Sequence, residues 1–357
     1  MEETEAMARA LDLAWRGWGR VQPNPLVGAV VLRDAEVVGE GWHAEFGAAH
    51  AEAAALEAAG EKARGATVVL TLEPCAHYGK QPPCADAIIG AGVRRVVAAL
   101  ADPNPAAAGG AARLRAAGIE VEMGLREREA AAQNAAFLHN AREPSRPFVA
   151  LKLATTLDGR IADANGNSRW ISGTEAREFV HWLRAGFDAI GVGGVTARAD
   201  DPSLTVRGPL QPRTAPVRLI FAADGDIPPE LNVVATAREI PTVAIVAPSA
   251  KASRLEPVEA AGVEIIRDAG LASALGTLRR RGVGSLLLEG GGRLAGAFLA
   301  AGLVDRYYWV QSPLWLGMGA VPAVAGLPGT PIGEAARWQV TERRALGGDT
   351  LLVLDRG

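Results

Sequence analysis

The sequence predicts two layered α/β domains in tandem, and three observations carry that expectation. The chain has 357 residues, too many for one ordinary core and suited to two domains of about 150 residues each. Short apolar runs alternate with helix-period segments along most of it, the way strands and covering helices are written into an α/β domain. Near the middle, Glu143-Pro-Ser-Arg-Pro147 breaks the alternation with a polar stretch holding two prolines, where no helix continues. The boundary is placed there, with domains over 1–144 and 147–357.

In the first domain the periodicity predicts a helix over 5–16, then a hairpin of Val27–Leu32 and Glu36–Gly39 turning at Arg33-Asp34-Ala35. A helix from about His50 to Ala59, a buried strand over Thr67–Thr71, a helix from near Cys84 and a strand over Arg95–Leu100 follow. Asp102-Pro-Asn-Pro105 is turn chemistry. A helix over Ala111–Ala117 stops at Gly118, and strand Ile119–Glu122 and helix Glu127–Asn140 close the half. The second domain opens with strand Phe148–Leu153 and a turn at Asp158-Gly159, then helix Thr174–Arg184 and strand Ala189–Gly193. Further strands are expected at Val217–Phe221, Thr242–Val246, Val263–Ile266, Ser285–Glu289, Arg306–Gln311 and Thr350–Leu354. The halves share no repeated motif.

Composition narrows the function classes. Hydrophobic residues make up 49% and charged residues 22%, a globular balance. A net charge of −3 and a pI near 6.0 argue against a broad nucleic-acid-binding face, though not against a local basic pocket. Two cysteines leave no disulfide framework and point to a reducing compartment. The acidic start Met1–Ala6 is no signal-peptide n-region. The uncharged stretch Tyr307–Gly333 is cut by four prolines, so it reads as a buried strand and loops rather than a membrane span. A cytoplasmic location is expected.

Three segments in the first domain carry chemistry: His50-Ala-Glu52, Pro74-Cys75 and Cys84. One imidazole and two thiolates are the three ligands with which a catalytic zinc keeps its fourth position for water. Glu52, beside a ligand without being one, is placed to shuttle a proton from that water to a leaving amine. The order matches the H-x-E…P-C-x-x-C signature of zinc deaminases, with eight residues rather than two between the cysteines. The rival is a closed structural site with His77 as fourth ligand, which leaves Glu52 idle. Residues two apart do not share a helix face, so His50 and Glu52 reach one metal only if the chain is irregular where it enters the helix.

These residues, with Leu72-Glu-Pro-Cys-Ala-His-Tyr-Gly-Lys-Gln-Pro-Pro-Cys84, resemble the cytidine-deaminase superfamily. Within it, the long interval ending Pro-Pro-Cys resembles the bifunctional deaminase–reductases of riboflavin biosynthesis, which Pro23-Asn-Pro-Leu-Val-Gly-Ala29 and Asp102-Pro-Asn-Pro105 also fit. The resemblance implies zinc on His50, Cys75 and Cys84, Glu52 as proton donor, and Asn24 and His77 beside the pyrimidine; a plain turn is the other reading of Asn24. Gln81 and Ala35 stand where Thr and Gly are expected in many members.

The second domain holds glycine at strand-to-helix turns, Glu289-Gly-Gly-Gly-Arg-Leu294 before an apolar helix Ala295–Ala301, and Gly191-Val-Gly-Gly-Val-Thr196. Such turns admit phosphate to backbone N–H groups or simply pack tightly; neither matches the G-x-G-x-x-G fingerprint. Leu151-Lys-Leu-Ala-Thr-Thr-Leu-Asp-Gly-Arg160, Ser168-Arg-Trp-Ile171, Asp201–Arg207 and Leu288–Gly292 resemble the family's reductase domain, with Thr156 in place of an expected Ser. The implied fold is a cytidine-deaminase-like α/β/α domain followed by a dihydrofolate-reductase-like α/β domain. By the resemblance, Ala154, Trp170, Thr196, Asp200 and the loop Gly291, Gly292, Arg293, Leu294, Ala295, Gly296 and Ala297 meet NADPH. Ser168, Arg184, Leu204, Arg207 and Glu289 meet the substrate, Arg184 and Arg207 being candidates for its phosphate. Plainer roles stand beside these: Arg184 as a helix C-cap, Arg207 paired with Asp200 or Asp201, and Lys152 as a strand-end charge. The expected partners are a small phosphorylated pyrimidine and a second copy of the chain in a homodimer, without nucleic acid or membrane.

Overall fold

The computed structural model describes residues 1–78 and 82–356; Gln81 lies outside them. It divides into two compact units, Met1–Arg142 and Glu143–Gly357. The first opens with α1 (Glu3–Ala14), begun by a capping box of Glu2 and Glu5. Strands β1 (Gly28–Arg33) and β2 (Glu36–Trp42) form the expected hairpin. Its turn residues Asp34 and Ala35 have φ of 49° and 65°, the left-handed pair that matches strand twist. Strand β2 runs past the expected Gly39 because its glycines lie under α2 (Ala51–Ala59). A Cβ on Gly39 would sit 2.3 Å from the Ala55 carbonyl oxygen, and one on Gly41 2.4 Å from that of Ala51.

Then come β3 (Thr67–Leu72), α3 (Cys84–Gly90), β4 (Arg95–Leu100), α4 (Gly110–Ala116) and β5 (Glu120–Met123). The sheet order is β2-β1-β3-β4-β5, antiparallel around β1 and parallel from β3 onward. Every residue of β3 is buried, as a central strand covered on both faces requires. The helix expected over 127–140 is two, α5 (Glu127–Gln133) and α6 (Ala135–Arg142). They part at Asn134, whose amide accepts from Leu26 N (2.8 Å) and donates to Leu26 O (2.9 Å). An asparagine that finds backbone partners elsewhere competes with the helix ladder.

The second unit contains β6 (Phe148–Thr155), β7 (Arg160–Ala162), α7 (Thr174–Ala185), β8 (Ala189–Gly193), α8 (Gly194–Asp200) and β9 (Val217–Phe221). It continues through α9 (Asn232–Ala235), β10 (Thr242–Val246), α10 (Ala252–Ala260), β11 (Glu264–Arg267), α11 (Leu271–Arg280) and β12 (Ser285–Leu288). It ends with α12 (Gly292–Ala300), β13 (Arg306–Gln311), β14 (Val321–Pro322), β15 (Trp338–Leu346) and β16 (Asp349–Arg356). Nine strands order as β11-β10-β9-β8-β12-β6-β13-β16-β15, parallel from β11 to β13, with β16 and β15 antiparallel at one edge. Adjacent β8 and β12 form a topological switch point, where open α/β sheets bind ligands beyond the carboxyl ends of their strands.

One expectation is corrected here. The run Gly291–Ala297 is not a loop: Gly291 caps α12, which starts at Gly292 rather than Ala295. Its glycines serve packing. A Cβ on Gly292 would meet Pro322 O at 2.4 Å, and one on Gly296 would meet Ala325 O at 1.8 Å. The close crossing of the 322–325 segment explains both glycines without a ligand.

Candidate active sites

Irregularity at the entry to α2 is what brings the first site together. His50 is the extended residue capping that helix (φ −74°, ψ 161°), so its ring leaves the helix while Glu52 sits in the first turn. Cys84 opens α3, and its N–H donates to Cys75 Sγ at 3.3 Å. His50 Nδ1 lies 3.3 Å from Cys84 Sγ and 3.8 Å from Cys75 Sγ. Tetrahedral zinc at ordinary bond lengths sets nitrogen and sulfur about 3.6 Å apart, so the three residues fit that ion. Among the described residues only these three converge, within 4.8 Å of one another. His77 lines the cavity instead, which removes the closed four-ligand site.

The electrostatics suit ligation and proton transfer. The hydrogen bond from Cys84 holds the Cys75 thiol well below the usual range, while that contact and burial push Cys84 up; the pair shares a proton. Glu52 is 4% exposed, and burial pushes its carboxyl up. It faces a cavity of about 310 Å³ lined also by Asn24, His43, His77, Asn104 and Phe137. His43 escaped the sequence reading; its one signal is a histidine just past an unusually glycine-rich strand end. It is buried, with Nδ1 3.1 Å from Ala49 O and Nε2 3.1 Å from Asn24 Nδ2. A carbonyl only accepts, so the proton is on Nδ1, Nε2 accepts from Asn24, and Asn24 keeps its Oδ1 for a ligand.

In the second unit some of the expected residues meet in pairs. Thr196 Oγ1 accepts from Gly291 N at 3.0 Å, and Ser168 Oγ donates to Asp200 at 3.3 Å. Ala154 lies near the end of β6, opposite Val310. Trp170 is 70% exposed, with the Arg177 guanidinium 4.6 Å from its ring. Leu204 is buried at φ 50°. On α12, Ala295 and Gly296 are buried in packing, whereas Arg293 and Ala297 are exposed and Leu294 lies against Gly193 and Gly290.

Arg184 differs from the phosphate fork expected of it. Its Nε and NH2 donate to Glu289 at 2.5 and 2.9 Å, and NH1 donates to Thr205 O at 2.9 Å. Arg207 is exposed, its nearest side-chain partner being Ser203 Oγ at 3.4 Å, and pairs with neither Asp200 nor Asp201. Lys152, which the sequence left as a strand-end charge, stands beside Glu289 and Arg184; burial lowers its pKa.

Known proteins resemble the chain along its whole length. The family model described as the cytidine and deoxycytidylate deaminase zinc-binding region matches residues 1–100, and that of the RibD C-terminal domain matches 147–352. The riboflavin biosynthesis protein RibD of Escherichia coli (strain K12) is 41% identical over 99% of both chains. That of Mycobacterium tuberculosis is 42% identical over 98% of this chain and 96% of the relative. Solved structures agree. RibD of Acinetobacter baumannii superposes with a TM-score of 0.84 at 36% identity over 99% of each chain. A Thermotoga maritima diaminohydroxyphosphoribosylaminopyrimidine deaminase/5-amino-6-(5-phosphoribosylamino)uracil reductase gives 0.84 at 34% over the same share. Among the described residues no helix is long and apolar enough to cross a membrane.

Proposed function

We propose, for a chain that belongs to the RibD family and is therefore a deaminase joined to a reductase in riboflavin biosynthesis, a residue-level account of both reactions. The substrate is 2,5-diamino-6-(5-phosphoribosylamino)pyrimidin-4-one, whose 2-amino group leaves as ammonia while water supplies the new oxygen. The observation that carries the first step is the spacing of His50, Cys75 and Cys84 around a zinc-sized gap, with Glu52 on the same cavity. Bound zinc supplies an acidified water. Glu52, whose proton affinity burial raises, takes the attacking water's two protons in turn and passes one to the ring nitrogen and the other to the departing ammonia. Asn24, oriented by His43, presents its Oδ1 to a pyrimidine N–H.

In the second unit NADPH, when bound, supplies hydride to C1′ of the ribosyl chain, giving ribityl. The switch point between β8 and β12, with Thr196 and Gly291 bonded across it, suits a dinucleotide. Glu289 and Arg184 hold each other in one orientation at the substrate end, and Lys152 beside them, its pKa lowered by burial, is the acid that gives up the proton opening of the sugar requires. The same reading confines the activities to 1–144 and 147–357 and places a homodimer in the cytoplasm; sedimentation checks the dimer.

Purified protein with the diaminopyrimidine should release ammonia without NADPH and oxidise NADPH only afterwards. Hydride transfer without prior ammonia release would overturn the assignment of steps.

A further inference from the structure

Glu73, between the last residue of β3 and the ligand loop of Cys75, has no part in the account above, yet it is buried. Its carboxylate has no cationic partner among the hydrogen bonds it makes. It accepts three backbone N–H groups instead: Asp102 on Oε2 at 3.1 Å, and Gly109 and Ala111 on Oε1 at 3.2 and 2.9 Å. All three belong to the segment that forms the far wall of the deaminase cavity through Asp102, Asn104 and Ala107.

The segment is hung from Glu73 in series. Asp102 Oδ1 accepts from Asn104 N at 2.9 Å, and Asn104 Oδ1 accepts from Ala106 N at 3.1 Å. The ligand loop closes the ring from its other side: Ala76 N donates to Ala107 O at 3.0 Å. Gly110 approaches Pro74 so closely that a Cβ there would lie 1.8 Å from the Pro74 carbonyl oxygen. Charge-assisted bonds to backbone N–H groups are the stronger kind, and Glu73 gathers three of them.

We infer that Glu73 is a positioning residue of the deaminase: it fixes the Asp102–Ala111 wall, and with it Asn104, relative to the metal-ligand loop. This rests on the deaminase reading of the cavity. Its Asn104 side is set by the Ala106 bond, which leaves the Nδ2 hydrogens for a ligand.

Glu73→Gln is nearly isosteric and tests the inference. With Oε1 kept on Gly109 and Ala111, Nε2 faces the Asp102 N–H and two donors confront each other. The expected result is a deaminase KM raised about tenfold, the scale of one lost charge-assisted bond. Change in kcat should be under about threefold, zinc content should stay at that of wild type, and NADPH oxidation on pre-deaminated substrate should be unaltered. Amide exchange at Asp102, Gly109 and Ala111 should quicken, a readout independent of the substrate's identity. In an Asn104→Ala background the Glu73→Gln effect on KM should vanish. If Glu73→Gln does not fold, Glu73→Asp, drawn back by about 1.5 Å, should show the same pattern. Unchanged KM and exchange, loss of zinc, or additivity with Asn104→Ala would overturn the inference. A wild type that releases no ammonia, with Glu73→Gln still quickening exchange, would break the deaminase reading and leave only the anchoring of the wall by Glu73 standing.

Discussion

Arg184 and Arg207 look equivalent in the sequence, and the structure separates them sharply. The Arg184–Glu289 pair is bidentate, its side chains only 13% and 12% exposed. Removing one partner of such a pair costs about 3–5 kcal/mol, because the other is left buried and uncompensated. Spread over the second unit, a 3 kcal/mol loss corresponds to a fall in Tm of about 6–12 °C. Arg207 makes one long side-chain bond from an exposed position, so Arg207→Ala should cost under about 0.5 kcal/mol of stability. The contact proposed between its guanidinium and the substrate's 5′-phosphate would be worth about 1.5 kcal/mol, near the low end for a charged bond because the residue is solvated. The assay compares kcat/KM of the reductase on phosphorylated and dephosphorylated pre-deaminated substrate. Wild type should prefer the phosphorylated form, and Arg207→Ala should lose about tenfold on that form alone. Equal losses on both substrates, or a Tm drop matching Arg184→Ala, would refute the separation of roles.

The remaining predictions are quickly stated. Glu52→Gln should keep about one zinc per chain by metal analysis while losing at least about 10²-fold in ammonia release; zinc loss or near-normal release would count against it. Chelation, or Cys75→Ser, should abolish deamination and spare NADPH oxidation on pre-deaminated substrate. Ala35→Gly should raise the stability of the first unit by about 0.5 kcal/mol, left-handed strain relieved less the entropy of glycine, as denaturant unfolding would show. In the second unit, burial opposes ionisation of Glu289 and Arg184 overrides it, holding the carboxyl below its usual range. A carboxyl with a depressed folded pKa contributes stability that is present above about pH 4.3 and lost as pH falls through the folded value. Glu289→Gln should flatten that acid limb of the stability profile.

Sequence reading went furthest where periodicity and ligand chemistry coincide. The strands of the first sheet and the convergence of His50, Cys75 and Cys84 beside Glu52 were legible because thiolates, imidazole and helix starts are local signals. The break at Asn134 was not, since its cause is a backbone partner at Leu26, distant in the chain. Strand β15 was missed for a different reason: nearly all its residues are exposed at a sheet edge, so no apolar alternation marks it. The triplet Gly290–Gly292 illustrates an ambiguity that composition cannot resolve, because close ligand approach and close chain approach both demand glycine. Packing settles Gly292 in favour of the chain. Glu73 and His43 act through backbone or amide partners that only the folded chain supplies.

His50 ends an extended segment at the start of α2, Cys84 is the first residue of α3, and Cys75 lies just past β3, beyond Glu73 and Pro74. His50 and Cys84 are therefore anchored at helix starts, and Cys75 is tied to α3 by the Cys84 N–H, a contact that bounds the interval between the cysteines. Coordination geometry is thus insulated from the length of that interval. A change in the number of residues between Cys75 and Cys84 should therefore leave the three donors at their present spacing.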